Sequence, residues 1–230
     1  MALDKGSIAL LYRKRAKRYD FSANAYYLLG IREFAYRKIG VEALKLKKGD
    51  TVIEIGCGTG LNFSLLRKKV GPDGNIIGVD LTPEMLEKAD KRIRRNGWKN
   101  VTLVQSDAAE YLFPEYIDGI ISTFAITLVP EYDRVIQKGA AALSANARFV
   151  IVDFKKPDRW PMWMIKLFVI LTRPFGISLD IADRHPWKSV ARYMILVGFR
   201  ELYFGALYLC VGEALYGGNG SFKDCASRRL

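Results

Sequence analysis

Three glycines and two carboxylates at regular intervals are the groups in this 230-residue chain best placed to do chemistry. Residues 51–60 read TVIEIGCGTG. Thr51, Val52, Ile53 and Ile55 favour a buried strand, and Gly56, Gly58 and Gly60 permit a turn that larger side chains could not enter. Such a turn at a strand end brings bare backbone against a ligand. A dinucleotide-binding loop reads G-x-G-x-x-G, whereas here the spacing is G-x-G-x-G and Leu61 stands where the last glycine belongs. The departure disfavours a pyrophosphate-bearing ligand and leaves one held through its sugar and base. Asp80 closes the next strand-like run, NIIGVD, where a carboxylate can accept both hydroxyls of a ribose. Asp107 follows VTLVQS and is placed to accept from an exocyclic amine such as that of adenine. Either acid could equally serve as a helix N-cap.

Strand-like and helix-like segments must alternate to position these groups. Strands are predicted at 51–56, 75–80, 101–106, 117–123 and 148–154, with helices at 60–69, 82–96, near 108–111 and at 131–143. Thr82 is the expected N-cap of the second of these helices, ahead of Pro83 in its first turn. This is the pattern of an α/β fold with a parallel sheet covered on both faces. After residue 154 a Pro- and Trp-rich section runs over 156–187. A helix near 188–196 and two strands, 199–204 and 206–212, then complete the pattern, joined at Gly205. Two closely joined strands predict an antiparallel pair at the sheet edge. The end, from 217 to 230, reads as a loose tail.

Composition bounds the rest. Half of the residues are apolar, which suits one packed domain over 1–216 rather than two. The early sequence has no signal-peptide pattern, and the longest apolar run, WPMWMIKLFVILT, is too short to span a bilayer, so the expected location is cytoplasmic. Cys57, Cys210 and Cys225 have no metal-like spacing, and no metal is expected. The net charge is +12, and residues 1–48 hold twelve Lys or Arg against four Asp or Glu. That asymmetry suits an anionic membrane surface or nucleic acid, or simply a solvated helix face.

VIEIGCGTG, IIGVDLTPEMLEKA and VQSDA, in this order and spacing, resemble the first three motifs of the class I S-adenosylmethionine-dependent methyltransferases. The resemblance implies a Rossmann-like, seven-stranded, mostly parallel sheet with an antiparallel final strand. It also implies S-adenosylmethionine as cofactor. Glu54 then orients the loop and reaches the methionine amino end, the backbone around Gly56, Cys57, Gly58 and Gly60 cradles the methionine portion, and Asp80 binds the ribose. Leu81, Met85, Asp107, Ala108 and Thr123 complete the implied cofactor contacts. Within the class the chain is similar to the group of ubiquinone and menaquinone methyltransferases and bacterial phosphatidylethanolamine N-methyltransferases. YRKRAKRYD resembles their opening Y-x-x-x-A-x-x-Y-D. Tyr12, Ala16 and Tyr19 share one helix face, either as a lid over 1–48 whose Tyr19 meets the cofactor or as ordinary packing.

The residues after the fourth strand bear on the acceptor. STFA lacks the Asn/Asp-Pro-Pro-aromatic motif that enzymes methylating nucleic-acid bases share, which disfavours nucleic acid. AITLVPEYD and LSANA replace the Arg-Asn pair and the Lys-Pro-Gly-Gly turn of the quinone enzymes, which makes a quinone less expected. The expected acceptor is therefore the nitrogen of a phospholipid headgroup or small amphipathic amine. The alternatives are carbon or oxygen of a quinone or other small molecule, and a catalytically silent binding protein. Phe124 is expected beside the methyl group, and Arg173 and Arg184 against a substrate phosphate or carboxylate. His185 is the candidate base, or a structural hydrogen-bonding side chain, with Tyr19, Asp153 or solvent as the alternatives for the base. Residues 156–190 are expected to cap the substrate, and RWPMWMIKLFVILTR within them is able to lie at the inner membrane face or to be buried as a cap helix.

Overall fold

A computed structural model describes residues 32–158, 160–172 and 183–215. Tyr19, most of the expected lid, Arg173 and the tail lie outside the described residues.

Seven strands form one sheet in the order β3-β2-β1-β4-β5-β7-β6. They are β1 (Thr51–Ile55), β2 (Asn75–Asp80), β3 (Val101–Gln105), β4 (Ile117–Thr123), β5 (Leu143–Phe154), β6 (Ile195–Leu202) and β7 (Leu207–Glu213). All pairings from β3 through β5 are parallel, and β7 runs antiparallel to both β5 and β6. This is the expected class I methyltransferase sheet. The helices are α1 (Glu33–Ala43), α2 (Phe63–Val70), α3 (Pro83–Arg95), α4 (Tyr132–Ala142), α5 (Met162–Thr172) and α6 (Pro186–Tyr193).

The central strands are apolar on both faces because helices cover both. Val41 of α1, Phe63, Leu66 and Val70 of α2, and Ala89 and Ile93 of α3 pack with Val52, Ile76 and Ile121 on one side. On the other, Val135 and Ile136 of α4 and Val190 of α6 pack with Ile53, Ile120 and Phe149. Gly40 brings α1 close to the sheet, since a Cβ there would lie 2.8 Å from Val152 Cγ2. That approach carries the next turn of α1, with Arg37, to the top of β4.

Three expectations need correction. No helix forms near 108–111: Asp107 accepts from the N–H groups of Ala109, Glu110 and Tyr111, closing a single turn. Tyr111 then packs edge-on against Phe113, with Pro114 immediately beyond. Thr82 does stand at the N-cap of α3, but its side chain makes no capping bond. The final strands are shifted. β6 begins at Ile195, because Met194 is already extended and ends α6, and a 3-10 turn at Tyr203–Gly205 replaces a tight joint. β5 starts directly after α4, with Asn146 in the left-handed region (φ 63°) and its N–H bonded to Ala214 O at 3.0 Å. The LSANA departure thus adds length to a strand rather than forming a turn.

Candidate active site

The glycine loop leaves β1 and is held to β2. Val79 O accepts from Gly56 N (2.8 Å) and Cys57 N (3.0 Å). Asp80 Oδ2 accepts from Gly58 N and its Oδ1 from Thr82 N, both at 2.8 Å, so one carboxylate fastens the loop to the start of α3. Burial raises the Asp80 pKa, opposed by these N–H bonds.

The three glycines have different duties. All have positive φ, at 67°, 54° and 74°. A Cβ on Gly60 would lie 2.5 Å from the Phe63 ring, and one on Gly78 of β2 would lie 2.7 Å from the same ring, so Gly60 makes room for a buried plug. A Cβ on Gly58 would meet nothing within 4 Å. Gly58 therefore borders open space.

That space is an open-mouthed cavity at the C-terminal ends of β1, β2, β3 and β4. Gly56, Cys57 and Gly58 form its floor, with Asp80, Leu81 and Met85 on one side. Asp107 and Ala108 line it just beyond β3, Thr123 at the end of β4 and Phe124 just past it. Phe124 holds a left-handed backbone (φ 57°) while its N–H bonds Val152 O at 2.8 Å, a conformation uncommon for an aromatic residue. Leu128, Val129 and Pro130 add an apolar stretch to the lining, and Arg37 adds a charged one.

Glu54 and Gly60 do not line this cavity. Glu54 is fully buried behind the loop, where Oε1 accepts from Asn62 Nδ2 (2.8 Å) and Oε2 has no partner. Burial pushes its pKa up to about 8, against the opposing influence of Arg37. Asp153, also buried, accepts from Thr127 N (3.0 Å) and Phe154 N (2.8 Å), and burial pushes it up to about 6. Burial raises the Cys57 thiol well above its ordinary value, which suits a packing role.

His185 and Arg184 also lie outside the first cavity. His185 packs edge-on against Trp187 (4.8 Å between centroids) in a second cavity it shares with Lys155, Trp160 and Glu201. Arg184 Nη1 donates to Thr127 O at 2.7 Å, bracing the 3-10 turn that carries Leu128. One cavity residue, Arg37, goes unnoticed in the sequence. Its sequence signal is only Glu33 four residues earlier, whereas Asn62 and Thr123, which it also bonds, lie 25 and 86 positions away.

The cavity fits a phosphate-free nucleoside cofactor. Its floor is open where a Cβ would intrude, and acids stand at two successive strand ends. S-adenosylmethionine supplies an electrophilic methyl group on a sulfonium. Among the described residues, no group of three or more His, Cys, Asp or Glu could hold a metal ion.

Fold and site together define a class I S-adenosylmethionine-dependent methyltransferase. Over residues 46–169, more than half its length, the chain matches the family described as a methyltransferase domain, and it belongs to that family. It is 32% identical over 178 residues to a demethylmenaquinone methyltransferase of Lactobacillus johnsonii, covering 74% of this chain and 72% of that protein. It is 33% identical over 114 residues to an arsenite methyltransferase of Halobacterium salinarum, covering 49% of this chain and 29% of the other. Among solved structures, a geranyl diphosphate C-methyltransferase from Streptomyces coelicolor superimposes with a TM-score of 0.64 at 13% identity, covering 80% of this chain and 76% of that one. At that identity the likeness concerns the fold.

Proposed function

We propose that this enzyme methylates an amphipathic acceptor at a membrane surface, with the nitrogen of a phospholipid headgroup or similar amine as the methylated atom. The observation that carries the reading is the exposed apolar face of α5, supported by an apolar stretch in the lining of the cavity. Leu128, Val129 and Pro130 give the cavity an apolar stretch. Further along the chain, α5 buries Ile165 while Trp163, Leu167 and Ile170 stand exposed at i, i+4 and i+7, with exposed Lys166 between them. A helix face of this kind suits a headgroup–acyl boundary, and Lys166 can reach the phosphates. No helix among the described residues is long and apolar enough to cross a membrane.

In this reading Asp80 holds the ribose, Asp107 with Ala108 the adenine, and the Gly56–Gly58 backbone the amino-acid end, with Glu54 acting from behind the loop through its bond to Asn62. Leu81, Met85 and Thr123 complete the cofactor contacts, and Gly60 acts indirectly by seating Phe63. Phe124 orders the acceptor beside the methyl group. The protein's work is chiefly alignment in a water-poor pocket, since in-line displacement at the methyl carbon needs little else. An ammonium acceptor must lose a proton before attack. His185 remains the candidate from the second cavity, together with Tyr19, while Arg184 and Arg173 are assigned to the acceptor's anionic group.

A second reading, methylation of a quinone carbon, is favoured by the demethylmenaquinone methyltransferase relative. Transfer of radiolabelled methyl groups into a total cell extract, with phase partition and chromatography of the organic fraction, decides between them. Label in aminophospholipid is expected. Label in a neutral quinone band would establish the second reading, and label confined to the aqueous phase would overturn both.

A further inference from the structure

The second cavity lies apart from the first, and the two share no lining residue among those described. It opens where the ends of β5 and β6 meet α5 and the start of α6. Lys155, the residue after β5, is buried there, and its Nζ donates to Asp158 Oδ2 (2.8 Å) and to Glu201 Oε1. One carboxylate neutralises a buried ammonium, so the second leaves the trio with an unbalanced negative charge. Asp158 is mostly exposed and Glu201 half-exposed, which makes that charge accessible. Lys156 and Asp183 form a balanced pair at 3.5 Å. With His185 neutral, the described lining is thus net negative, on a chain whose overall charge is +12.

Three aromatic rings line the same cavity. Trp160 is anchored by its Nε1–H to Phe204 O at 3.0 Å, and Trp187 packs edge-on against Tyr208 with centroids 4.8 Å apart. Phe199, 5.6 Å from Trp187, is left 41% exposed. Tying β5 to β6 needs only the Lys155–Glu201 bond, so Asp158 and the wet ring are unexplained by packing. Together they suit an organic cation: the carboxylates accept from its N–H groups while a ring face attracts the charge and covers the adjoining carbon.

The source of such a cation is set by α5. Met162 and Ile165 of this helix line the cavity, and its exposed Trp163, Leu167 and Ile170 form the face assigned above to the membrane. We propose that the second cavity binds the primary ammonium of an aminophospholipid headgroup, held by the Asp158–Lys155–Glu201 trio and the rings of Trp160, Trp187 and Phe199. The proposal rests on the membrane placement of α5 and makes the cavity a docking site separate from methyl transfer.

Two measurements without methyl donor test it at about pH 8, where an imidazole is neutral. In co-sedimentation at a constant phosphatidylglycerol content, replacing phosphatidylcholine by phosphatidylethanolamine should raise binding about threefold, in the range of one exposed ion pair. Asp158→Asn, which leaves Lys155 paired with Glu201, should remove this gain and keep the binding to vesicles without phosphatidylethanolamine. Phe199→Leu, which keeps the bulk and loses the ring, should lessen the gain. Without vesicles, ethanolamine should shift the tryptophan fluorescence of the wild type and leave that of Asp158→Asn unchanged. A response to ethanolamine with no gain on vesicles would overturn the lipid as source. A gain undiminished in Asp158→Asn, or no response in either measurement, would overturn the site itself. Because no methyl group is transferred, these outcomes are independent of whether aminophospholipid is the acceptor.

Discussion

Asp80 joins two backbone segments with its two oxygens and also lines the cavity, so its loss should be felt first in cofactor affinity. Asp80→Ala should weaken S-adenosylhomocysteine binding by about 1.5–3 kcal/mol, the range for lost hydrogen bonds to a charged group. Calorimetry on a variant with native circular dichroism checks this, and unchanged affinity would remove the ribose assignment. Gly58→Val should abolish measurable binding, since the branched side chain enters the open floor and the φ of 54° disfavours it. Glu54 makes a separate prediction about pH. Its pKa, ordinarily 4.5, is pushed up to about 8, so between those values the folded state keeps a proton that the unfolded chain has released. Its contribution is fully present below about pH 4.5 and falls as pH rises through 8, by up to about 1.4 kcal/mol per unit. Asp153, pushed up to about 6, acts in the same direction at lower pH. Glu54→Gln should therefore flatten the stability profile chiefly between pH 6 and 8 in urea titrations. A wild-type slope in that window would contradict the assignment.

At the scale of elements, the join between the glycine loop and α2 depends on one ring. Phe63 is fully buried, and its edge occupies the space that side chains at Gly60 and Gly78 would need. Phe63→Ala should cost about 3–5 kcal/mol, as for other deleted core aromatics. The cavity opens directly beneath the loop, so cofactor affinity should fall along with the melting temperature. A variant that melts lower but binds normally would show that the loop holds its shape without the plug. Helix α1 is the complementary case: its close seat on Val152 at Gly40 fixes a charged residue in the site rather than an apolar one.

For the whole molecule, charge and apolar surface make distinct contributions to membrane attachment. Basic residues near an anionic bilayer should contribute about 1 kcal/mol each, screened as salt rises. Apolar insertion by Trp163, Leu167 and Ile170 should resist salt. The protein is expected to co-sediment with vesicles containing anionic lipid and poorly with neutral ones. Deleting residues 1–18 should lower the salt-sensitive part, and changing those three α5 residues to Ser should lower the salt-resistant part. Equal binding to both vesicle types would remove the electrostatic component, and binding to neither would point to a small, freely diffusing acceptor.

Sequence alone determined the parts of this protein that depend on neighbours along the chain. The strand leading into G-x-G-x-G, the acids closing β2 and β3, and the alternation that makes a parallel sheet are local patterns whose geometry is fixed within a few residues. Where two local signals competed, the reading shifted: Ile195 and Leu196 end a helix in the sequence reading but begin β6 in the fold, because β7 offers them a ladder. Only the tertiary structure decided which side chains share the cavity. Arg37 meets Thr123 across 86 residues, Glu54 retreats behind the loop that its neighbours form, and His185 turns toward Trp187 instead of the first cavity. These placements come from the sheet order and from how closely each helix can approach it, which no short window of sequence contains.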